Sequence, residues 1–401
     1  MTTSRRSFLA ASAAAVPTLA VPSLVRARNA GEALRVGAIG TGGRCRQLMT
    51  TLGRMKDVQI TAVSDIWDVH LAAGKKLADP RANVFKNYHD LLARKDIDAV
   101  VIGAPDHWHV PMTVDAVAAG KHVYVEKPLT HDLAEGKKVI DAVKRSGKVV
   151  QVGTQQRSMP HIVEAKKLVE AGRLGRILKV RMSWNRNTDR IRRFKTGVNP
   201  GEVNWKAFLG SAREQPFDDY RFRNWRWFWD FGGGLFTDLM VHWIDVAHWM
   251  VGVDHPVRAV AVGEHVASQG VWETPDTVQT LLTYRGGVQM HFEGTFSNAR
   301  AGAMMELLGT DATLYVDRGR FELAPERGRG KPEEQVLGTG PKGKDFYDKP
   351  DGEYLHLENW VQAIRTGKAP SAPVEAGVSA ASAAHLANQA LRGSGVADWK
   401  S

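Results

Sequence analysis

The sequence predicts an α/β domain with a doubly wound parallel sheet, followed by an α+β domain with a large open, mostly antiparallel sheet. As far as about residue 155, apolar runs alternate with helical patterns, which is typical of a parallel sheet covered on both faces. After that, short strand-like runs follow one another with turn signals between them, as in antiparallel sheets. The length of 401 residues is sufficient for about two such domains.

Residues 1–30 have the pattern of an export signal and linker. The twin arginines of SRRSFLA, residues 4–10, stand directly before an Ala-rich apolar run that ends near Ala20. This combination indicates twin-arginine export, and the run is shorter than the roughly 20 apolar residues of a membrane span. We therefore expect a periplasmic or other extracytoplasmic location. No clear cleavage site precedes Glu32, so an uncleaved signal that tethers the protein stays open.

Residues 31–155 are predicted to form the doubly wound domain. Its strands are apolar and nearly continuous, so both faces of the sheet are expected to be buried. Six strands make the two βαβαβ halves of a dinucleotide-binding fold. The predicted strands are 34–40, 58–65, 83–85, 97–105, 121–128 and 148–154, and the helices are 68–78, 110–119 and 132–146.

Residues 156–401 are predicted to form the α+β domain, whose C-terminal helices could pack back on the first domain. An Arg-rich, largely irregular segment covers 186–224, and residues 326–352, rich in Gly, Lys and Pro, are expected to be a mobile loop. The tail, 353–392, is helical apart from a break at two prolines. A helix is predicted at 160–171, and strands at 176–184, 257–266, 276–284, 287–296, 303–308, 312–316 and 320–324.

The composition excludes several classes of protein. Apolar residues make up 43% and charged residues 24%, as in ordinary soluble domains. The net charge of +11 comes from dispersed residues and short clusters such as RIRRFK, residues 190–195, and no nucleic-acid motif accompanies them. We therefore expect no nucleic-acid partner. The single cysteine, Cys45, excludes an intramolecular disulfide.

The loop GAIGTGGRC follows the first strand and opens a helix, which is the context of a dinucleotide fingerprint. Gly40 and Gly42 suit the tight turn and the close approach of a pyrophosphate. Cys45 occupies the third fingerprint position, where Gly or Ala is usual; because Cys is small, the helix is still expected to pack close to the strand. Asp65, at the end of the second strand, is placed to accept hydrogen bonds from ribose hydroxyls, which favours NAD over NADP.

The stretch GGGLFTDLMVHWIDVAHW, residues 232–249, places Asp238, His242 and Asp245 on one stripe if it forms a helix. These residue types suit a metal site, a proton-transfer site, or a helix cap followed by satisfied polar groups. A zinc site needs about four ligands, and the one thiol of the chain lies in the glycine loop, so we expect no metal. The other two interpretations stay open on this stretch alone.

Three motifs together resemble the Gfo/Idh/MocA family (glucose–fructose oxidoreductase, inositol dehydrogenase, rhizopine catabolism). They are GAPDHWHV at the end of the fourth strand, AGKHVYVEKPLT through the fifth, and GGGLFTDLMVHWID. The resemblance covers residues 33–392, apart from Cys45 and the Trp-rich run before Gly232. It implies a Rossmann domain and a second domain whose open sheet often joins subunits, so a homo-oligomer is expected.

The resemblance also implies roles for individual residues. Lys127 corresponds to the active-site lysine, and Asp238 and His242 to a D-x-x-x-H pattern whose histidine is the general base. Pro105 and a loop at 106–109 correspond to a segment along the nicotinamide. The full set predicted to bind the cofactor is Gly40, Gly42, Gly43, Arg44, Asp65, Pro105, Trp108, His109, Glu126, Lys127 and Gln155.

Elementary chemistry supports the same catalytic residues. Oxidation of a carbinol requires removal of the hydroxyl proton as the hydride leaves, and imidazole, with a pKa of about 6.5, suits that step. A lysine ammonium stabilises the developing charge. Both groups end elements that point to the carboxyl edge of the sheet, where doubly wound folds bind ligands. We therefore predict that Lys127, Asp238 and His242 are catalytic and that Asp245 has a structural role.

The run YRFRNWRWFWDFGGG, residues 220–234, interleaves tryptophans with arginines. The tryptophans are either core packing or apolar platforms for the C–H faces of a sugar ring, and arginines bind hydroxyls or carboxylates. The role of His107 is open. The arginines considered are Arg157, Arg223 and Arg226, and the residues predicted to bind substrate are Arg157, Trp225 and Asp238.

Together these features predict an exported NAD-dependent oxidoreductase of a sugar, polyol or glycoside hydroxyl. Because twin-arginine signals export folded proteins and soluble NAD is essentially cytoplasmic, the NAD is expected to be tightly bound and recycled internally. One alternative is an NAD-dependent glycoside hydrolase or lyase that oxidises the sugar transiently. A second is a non-catalytic sugar- or redox-binding protein on the same scaffold.

Overall fold

A computed structural model describes residues 32–188, 191–328, 330–337, 342 and 351–400. The predicted export signal lies outside these residues. Residues 33–401 form one compact unit, so the boundary at residue 155 stays a prediction. No helix within the described ranges is long and apolar enough to cross a membrane.

The first sheet is parallel throughout and has the strand order 3-2-1-4-5-6, which confirms the doubly wound arrangement. Its strands are almost entirely apolar because helices cover both faces. The strands are β1 Leu34–Ile39, β2 Val58–Ser64, β3 Asn83–Phe85, β4 Ala99–Ile102, β5 His122–Val125 and β6 Val150–Val152. The helices are α1 Gly43–Leu52, α2 Asp68–Lys75, α3 Tyr88–Leu92, α4 Asp106–Ala118 and α5 Glu135–Ser146.

Helix α4 begins earlier than predicted. The expected start at residue 110 and the loop at 106–109 are wrong, because Pro105 is the N-cap and the helix continues through Pro111. Proline tolerates the position just before a helix, since no intrahelical partner is needed for its missing N–H there. The side chains from Asp106 to His109 therefore lie on the first turn of a helix at the carboxyl edge of the sheet.

The second sheet has nine strands, in the order β14-β13-β12-β11-β7-β10-β9-β8-β15, and one parallel pair, β7 with β10. The strands are β7 Ile177–Asn185, β8 Arg258–Glu264, β9 Thr277–Thr283, β10 Gln289–Thr295, β11 Ala303–Gly309, β12 Ala312–Asp317, β13 Arg320–Pro325, β14 Glu333–Val336 and β15 Val396–Asp398. This confirms a large, mostly antiparallel sheet. The two short edge strands were not predicted: β14 replaces part of the expected loop, because its backbone pairs with β13 although its sequence, EEQV, is polar.

The remaining helices are α6 Pro160–Glu170, α7 Trp205–Leu209, α8 Asp219–Arg223, α9 Val241–Val251, α10 Gly352–Thr366 and α11 Val374–Arg392, with a π-helical turn at Phe236–Met240 directly before α9. Of these, α6, α9 and α11 pack against strands of the second sheet. Helix α9 is buried on nearly every side and shares a core with α11 and the inner face of the sheet. Leu357 and Trp360 of α10 pack in one core with Val36 of β1.

Candidate active site

The glycine loop is shaped by two close contacts. Gly40 has φ +73°, and a Cβ there would lie 2.8 Å from the backbone nitrogen of Ala104. At the end of β4, a Cβ on Gly103 would lie 2.7 Å from the Cβ of Cys45. The missing side chain at Gly103 therefore provides the space for Cys45, which is fully buried. The fingerprint therefore tolerates a cysteine in its third position because the residue that faces it, Gly103 at the end of β4, has no side chain.

A cleft of about 640 Å³ opens where β1 and β4 diverge, at the edge where doubly wound folds bind dinucleotides. The space beside Gly43 is open, since a Cβ added there would meet no atom within 4 Å, and a ligand can therefore approach the backbone. The N-terminus of α1 points its free N–H groups at this loop, which suits a pyrophosphate. Of the predicted cofactor residues, this cleft is lined by Gly40, Gly42, Gly43, Arg44, Asp65, Pro105 and Trp108.

Asp65 lies at the far end of this cleft, where the ribose is expected. Its carboxylate accepts hydrogen bonds from the backbone N–H of Trp67 at 2.9 Å and from Thr41 Oγ1 at 3.3 Å. Burial raises the pKa of Asp65 to about 6, although these bonds oppose the shift. The carboxylate is thus mainly ionised at neutral pH and can accept from ribose hydroxyls. Sequence reasoning missed Arg46 and considered Arg223 only for the substrate; both line the same cleft and add the positive charge that an anionic dinucleotide needs.

Residues 203–226, which we name the covering segment, lie across this cleft. The backbone of Val203 pairs with that of Trp67, and Asn204 donates to the Ile66 carbonyl at 2.9 Å. The Phe208 carbonyl accepts from Trp108 Nε1 at 2.9 Å. The part of the predicted irregular segment from residue 203 onward is therefore fastened to the residues that follow β2 and to α4. It contains two short helices, α7 and α8.

The covering segment is also held by rings. Trp67 packs edge-on against Phe222 at 5.4 Å, and the Arg223 guanidinium lies 5.2 Å from the Trp67 ring. His107, whose role the sequence left open, has its Nε2 2.8 Å from the Phe208 carbonyl and its ring 5.2 Å from Phe231. His107 thus supports the covering segment from beneath.

A second cavity of about 650 Å³ shares five lining residues with the cofactor cleft and so adjoins it. The shared residues are Arg44, Gly103, Ala104, Trp225 and Arg226. The other residues of the second cavity are Gln47, Asp106, His109, Glu126, Lys127, Gln155, Trp184, Arg186, Asp238, Leu239, His242 and Arg318. All three predicted catalytic residues therefore meet in one cavity, beside the cofactor cleft.

Lys127 and Asp238 are in direct contact. Lys127 Nζ donates to Asp238 Oδ1 at 2.9 Å and to the Asp238 carbonyl at 2.7 Å, and Arg226 Nε donates to the same Oδ1 at 3.2 Å. Burial favours the neutral acid, but the charges of Lys127 and Arg226 outweigh it, so the pKa of Asp238 lies below its usual value. Asp238 is therefore an ionised anchor that fixes the lysine ammonium at the cavity wall.

The π-helical turn decides which side chains reach the cavity. The regular helix that would align Asp238, His242 and Asp245 is not formed, because Phe236–Met240 is π-helical and only the residues from Val241 onward are α-helical. The N-cap positions are Leu235 and Met240, so Asp238 does not cap the helix as one interpretation required. Asp238 and His242 line the cavity, whereas Asp245 is fully buried elsewhere.

His242 has the surroundings of a neutral base. Its ring lies 5.1 Å from that of Trp184, and Nδ1 is buried without a hydrogen-bond partner among the described residues. Burial lowers the pKa of His242 well below its ordinary value, and the nearby charges of Lys127 and Arg318 act in the same direction. The imidazole is therefore neutral at neutral pH, the form that can accept a proton.

Arg157, which was predicted to bind substrate, forms a buried ion pair away from both cavities. Its Nε donates to Asp245 Oδ2 at 2.7 Å, and its guanidinium lies 5.3 Å from the Trp249 ring, so the side chain lines neither cavity. A fully buried carboxylate requires a compensating charge, and Arg157 supplies it for Asp245. The pair has a structural role, as expected for Asp245.

His109 and Glu126, both predicted to bind the cofactor, are hydrogen-bonded to other groups of the protein. His109 Nδ1 lies 2.6 Å from the Pro128 carbonyl and Nε2 2.8 Å from that of Ala104, so His109 holds the Glu-Lys-Pro turn against α4. It also lines the second cavity, and its binding to the cofactor stays a prediction. Glu126 accepts from Arg44 Nε at 2.8 Å, and Arg44 also pairs with Glu353 of α10. Arg44 and Glu126 thus form a fixed ion pair where the two cavities meet.

The tryptophans of residues 220–234 divide between the two interpretations. Trp225 lines both cavities beneath the Arg226 guanidinium, which lies 4.2 Å from its ring. Trp227 stacks on Trp272 at 4.4 Å, and Trp229 Nε1 donates to the Glu273 carbonyl at 3.1 Å. Trp225 is therefore placed as a platform, whereas Trp227 is core packing.

Asp106, Trp184, Arg186 and Arg318 line the second cavity but were not predicted as substrate residues. Their sequence signal is weak: Trp184 and Arg186 stand at the end of one predicted strand, and Arg318 just beyond another. Sheet topology was needed to bring these strand ends together. Among the residues that the structure describes, no group of three or more His, Cys, Asp or Glu side chains is arranged to hold a metal.

Two protein-family models match this chain, one over each of its two sheets. A model described as an oxidoreductase family with an NAD-binding Rossmann fold matches residues 34–154, and that of its C-terminal alpha/beta domain matches residues 166–397. An inositol 2-dehydrogenase from Rubrobacter xylanophilus is 34% identical over 86% of this chain and 87% of its own length. A Bacillus subtilis scyllo-inositol 2-dehydrogenase (NAD(+)) is 24% identical over 70% and 72%.

Solved structures share the fold. The chain is similar to a myo-inositol 2-dehydrogenase from Lactobacillus plantarum with TM-score 0.69 and 22% identity, covering 92% of this chain and 100% of that one. It is also similar to a levoglucosan dehydrogenase in complex with NADH and levoglucosan, with TM-score 0.70 and 21% identity over 92% and 99%. Both likenesses extend over 92% of this chain and therefore include both of its sheets.

Proposed function

Because the chain belongs to the Gfo/Idh/MocA family and is an NAD-dependent oxidoreductase of CH–OH groups, we propose that it oxidises a sugar, polyol or glycoside hydroxyl while retaining its NAD between turnovers. The observation that carries this proposal is the meeting of Lys127, Asp238 and His242 beside the cofactor cleft. NAD, when bound, supplies the hydride acceptor.

The residues divide the remaining work. Neutral His242 accepts the hydroxyl proton through Nε2, since its Nδ1 is buried. The Lys127 ammonium, held by Asp238 at 2.9 Å, stabilises the oxygen as negative charge develops. Trp225, beneath Arg226, offers an apolar surface for the C–H face of a ring. Each group is anchored by protein contacts, so little reorganisation is needed during the reaction.

The pH dependence of kcat/KM tests the role of His242. A free imidazole titrates at about 6.5, and burial together with Lys127 lowers the pKa of His242 well below that value. Because the protonated form cannot act as a base, activity should fall only on the acid side, below about pH 6.5. We expect a flat profile through neutral pH. An acid limb centred above the pKa of free imidazole would contradict this assignment.

Retention of NAD is supported by the covering segment. Release of the cofactor would require separation of the Trp67–Val203 pairing and of the Phe208 contacts with His107 and Trp108. We expect purified, gel-filtered protein to carry close to one NAD per chain, detected by mass spectrometry after denaturation. A fully cofactor-free protein that turns over only with added NAD would contradict internal recycling.

Arg223→Gln should accelerate loss of NAD. The guanidinium lies over Trp67 and lines the cofactor cleft, so the change removes both a fastening of the covering segment and a cation near the dinucleotide. Loss of one interaction of about 1.4 kcal/mol corresponds to about tenfold faster dissociation. The rate is measured by trapping released NAD. Arg213→Gln is the matched control, because Arg213 is exposed in the same segment; equal rates in both variants would contradict the prediction.

A redox-neutral reaction is the second candidate, and Asp106 favours it. Burial raises the pKa of Asp106 well above its usual value, although Lys127 and Arg226 oppose the shift. A carboxyl with a raised pKa stays protonated to higher pH than an ordinary aspartate, so Asp106 is better suited to donate a proton to a leaving glycosidic oxygen. This route releases nitrophenol from nitrophenyl glycosides without a second substrate. If retained NAD is instead recycled by transfer of its hydride to a second sugar, turnover requires that second sugar as the hydride acceptor. The same assay therefore distinguishes the two routes.

The twin-arginine motif supports export. Cell fractionation of the full-length chain and of an Arg5→Lys/Arg6→Lys variant tests it: we expect the unaltered protein outside the cytoplasm and the variant inside. Equal distribution would contradict export. Retention in the membrane fraction would indicate an uncleaved, tethering signal.

The outer face of the nine-stranded sheet supports a homo-oligomer. Val260, Val262, Leu281 and Val396 are between 39% and 62% exposed at one end of it. They are neighbours, since Val260 pairs with both Leu281 and Val396. Contiguous exposed apolar patches mark association sites. Light scattering of the purified protein should give a mass above that of one chain, and a monomeric mass would contradict the proposal.

A further inference from the structure

A third cavity, of about 410 Å³, lies outside the site described above. It shares no lining residue with the cofactor cleft or with the second cavity. Three parts of the chain form it: the segment that follows the Glu-Lys-Pro turn, the glycine run before the π-helical turn, and the C-terminal half of α11. Because the three cavities have separate linings, a ligand in this one can be bound together with cofactor and substrate.

Helix α11 presents one polar stripe to the third cavity. His385, Asn388, Gln389 and Arg392 are spaced i, i+3, i+4 and i+7, so they lie on one face of the helix, and all four line the cavity. His385 and Asn388 are buried, whereas Gln389 and Arg392 are exposed. The stripe therefore runs from the interior to the surface, as the wall of a cavity that opens to solvent does.

Asn388 has an acceptor without a partner. Its Nδ2 donates to the Gly233 carbonyl at 2.9 Å, which fixes the orientation of the amide. Its Oδ1 is buried and has no hydrogen-bond partner within the described ranges, and only 8% of the residue is exposed. An unpaired buried acceptor is costly, so this position calls for a donor that the described residues do not supply.

Two histidines of the third cavity are acceptors as well. His385 Nε2 lies 2.9 Å from the Thr130 carbonyl, and His131 Nε2 lies 3.1 Å from the Trp229 carbonyl. Because a carbonyl can only accept, each Nε2 carries a proton. Burial lowers the pKa of His385 to about 4 and that of His131 below its ordinary value. Both rings are therefore neutral at neutral pH, and each Nδ1 is left as an acceptor.

Trp229 gives the third cavity a fixed apolar wall. Its backbone N–H donates to Glu273 Oε2 at 3.0 Å and its Nε1 to the Glu273 carbonyl at 3.1 Å, so the ring is held in place. The Arg392 guanidinium lies 4.7 Å from the centre of this ring. Of the described residues that line the cavity, Asp132 is the one acid and Arg392 the one permanent cation. The lining is thus neutral overall, and the guanidinium over the indole disfavours a cationic ligand.

We propose that the third cavity binds a neutral sugar ring, at a site separate from the one where a hydroxyl is oxidised. The hydroxyl groups of a sugar supply the donors that Asn388 and the two histidines lack. Gln389 and Arg392 offer N–H donors to its oxygens, and the Trp229 indole offers an apolar surface for its C–H face. The inference goes beyond the proposed function and does not depend on it, since no catalytic residue takes part.

The test follows Trp229 and Trp225 separately in NAD-loaded protein. Tryptophan is replaced throughout by 5-fluorotryptophan, and the fluorine resonances of the two residues are assigned from Trp229→Phe and Trp225→Phe. The probes are glucose, galactose, mannose and myo-inositol. Trp225 reports on the second cavity and Trp229 on the third. We expect at least one probe to shift the Trp229 resonance saturably, independently of any shift at Trp225.

Asn388→Leu and Gln389→Ala should each raise the Kd measured at Trp229 by about tenfold, as for the loss of one hydrogen bond, and leave the response of Trp225 unchanged. Gln362→Ala, at an exposed glutamine of α10, is the matched control. Because Asn388 is buried, the melting temperature and NAD content of each variant are checked. Gln389 is exposed and provides an independent variant if Asn388→Leu does not fold.

A Trp229 resonance that none of the four probes shifts would overturn the inference. A shift with the same Kd in the unaltered protein and in Gln389→Ala and Asn388→Leu would also overturn it, because the sugar would then be bound elsewhere. Either result would leave the oxidoreductase function intact, since that function is tested at His242 and Lys127.

Discussion

Replacement of His242 by Gln is expected to lower kcat by about 100- to 10,000-fold, the range typical of a lost general base. Glutamine has a similar size and keeps polar atoms in the site but cannot accept a proton at neutral pH. His242 lies in the cavity beside Lys127 and Asp238, with its ring 5.1 Å from Trp184. Binding of sugar and of NAD should change little, because neither depends on proton transfer.

The measurement is single-turnover reduction of the bound cofactor, with sugar affinity determined in parallel. His255→Gln is the matched control, since His255 stacks on Trp399 and lines neither cavity. Equal losses of affinity and turnover in His242→Gln would favour a non-catalytic binding protein. Unchanged turnover would show that another group removes the proton.

Lys127→Met is expected to lower kcat by about 100- to 1,000-fold, as for removal of one preorganised donor to a developing oxyanion. Methionine retains the apolar stem of the lysine and removes the ammonium. The substitution also removes the nearer of the two ion pairs of the partly buried Asp238 and leaves Arg226, at 3.2 Å, to compensate its charge, so the folded protein should be less stable.

A second variant separates catalysis from stability. In Lys127→Met/Asp238→Asn, an uncharged amide replaces the carboxylate and needs no counter-charge. The melting temperature should therefore recover while turnover stays low. Lys137→Met, at an exposed pair on α5, is the control. If turnover returned together with the melting temperature, Lys127 would be a structural residue and not a catalytic one.

Several features were predictable because they depend on local patterns. The strand at 83–85 and the start of β1 at Leu34 coincide with the structure. The continuous apolar run of β1 is the mark of a buried parallel strand, whereas β3 is a short, largely exposed strand at the edge of the sheet. The glycine loop and the Glu-Lys-Pro turn could be located because each is a motif of a few consecutive residues. The family, the NAD cofactor and the oxidoreductase class are confirmed by comparison with known proteins.

Other features depended on partners distant in sequence. Arg157 was predicted to bind substrate because its ion-pair partner, Asp245, lies 88 residues away in the sequence and could not be foreseen. The two carbonyl partners of His109 could not be foreseen either. The early start of α4 was obscured by Pro111, which normally argues against a helix interior.

The sequence by itself determined the order of the longer strands and helices, the cofactor loop and, through the family resemblance, the three residues of the proposed catalytic centre, because these depend on periodicity and on motifs within a few residues. Tertiary structure decided which side chains enter the cavity. The π-helical turn at Phe236–Met240 directs Asp238 and His242 inward while Asp245 is withdrawn to Arg157, and sheet pairing through β11 brings Arg186 and Arg318 together. Charge compensation and strand register act between residues far apart in the chain, so no local pattern records them.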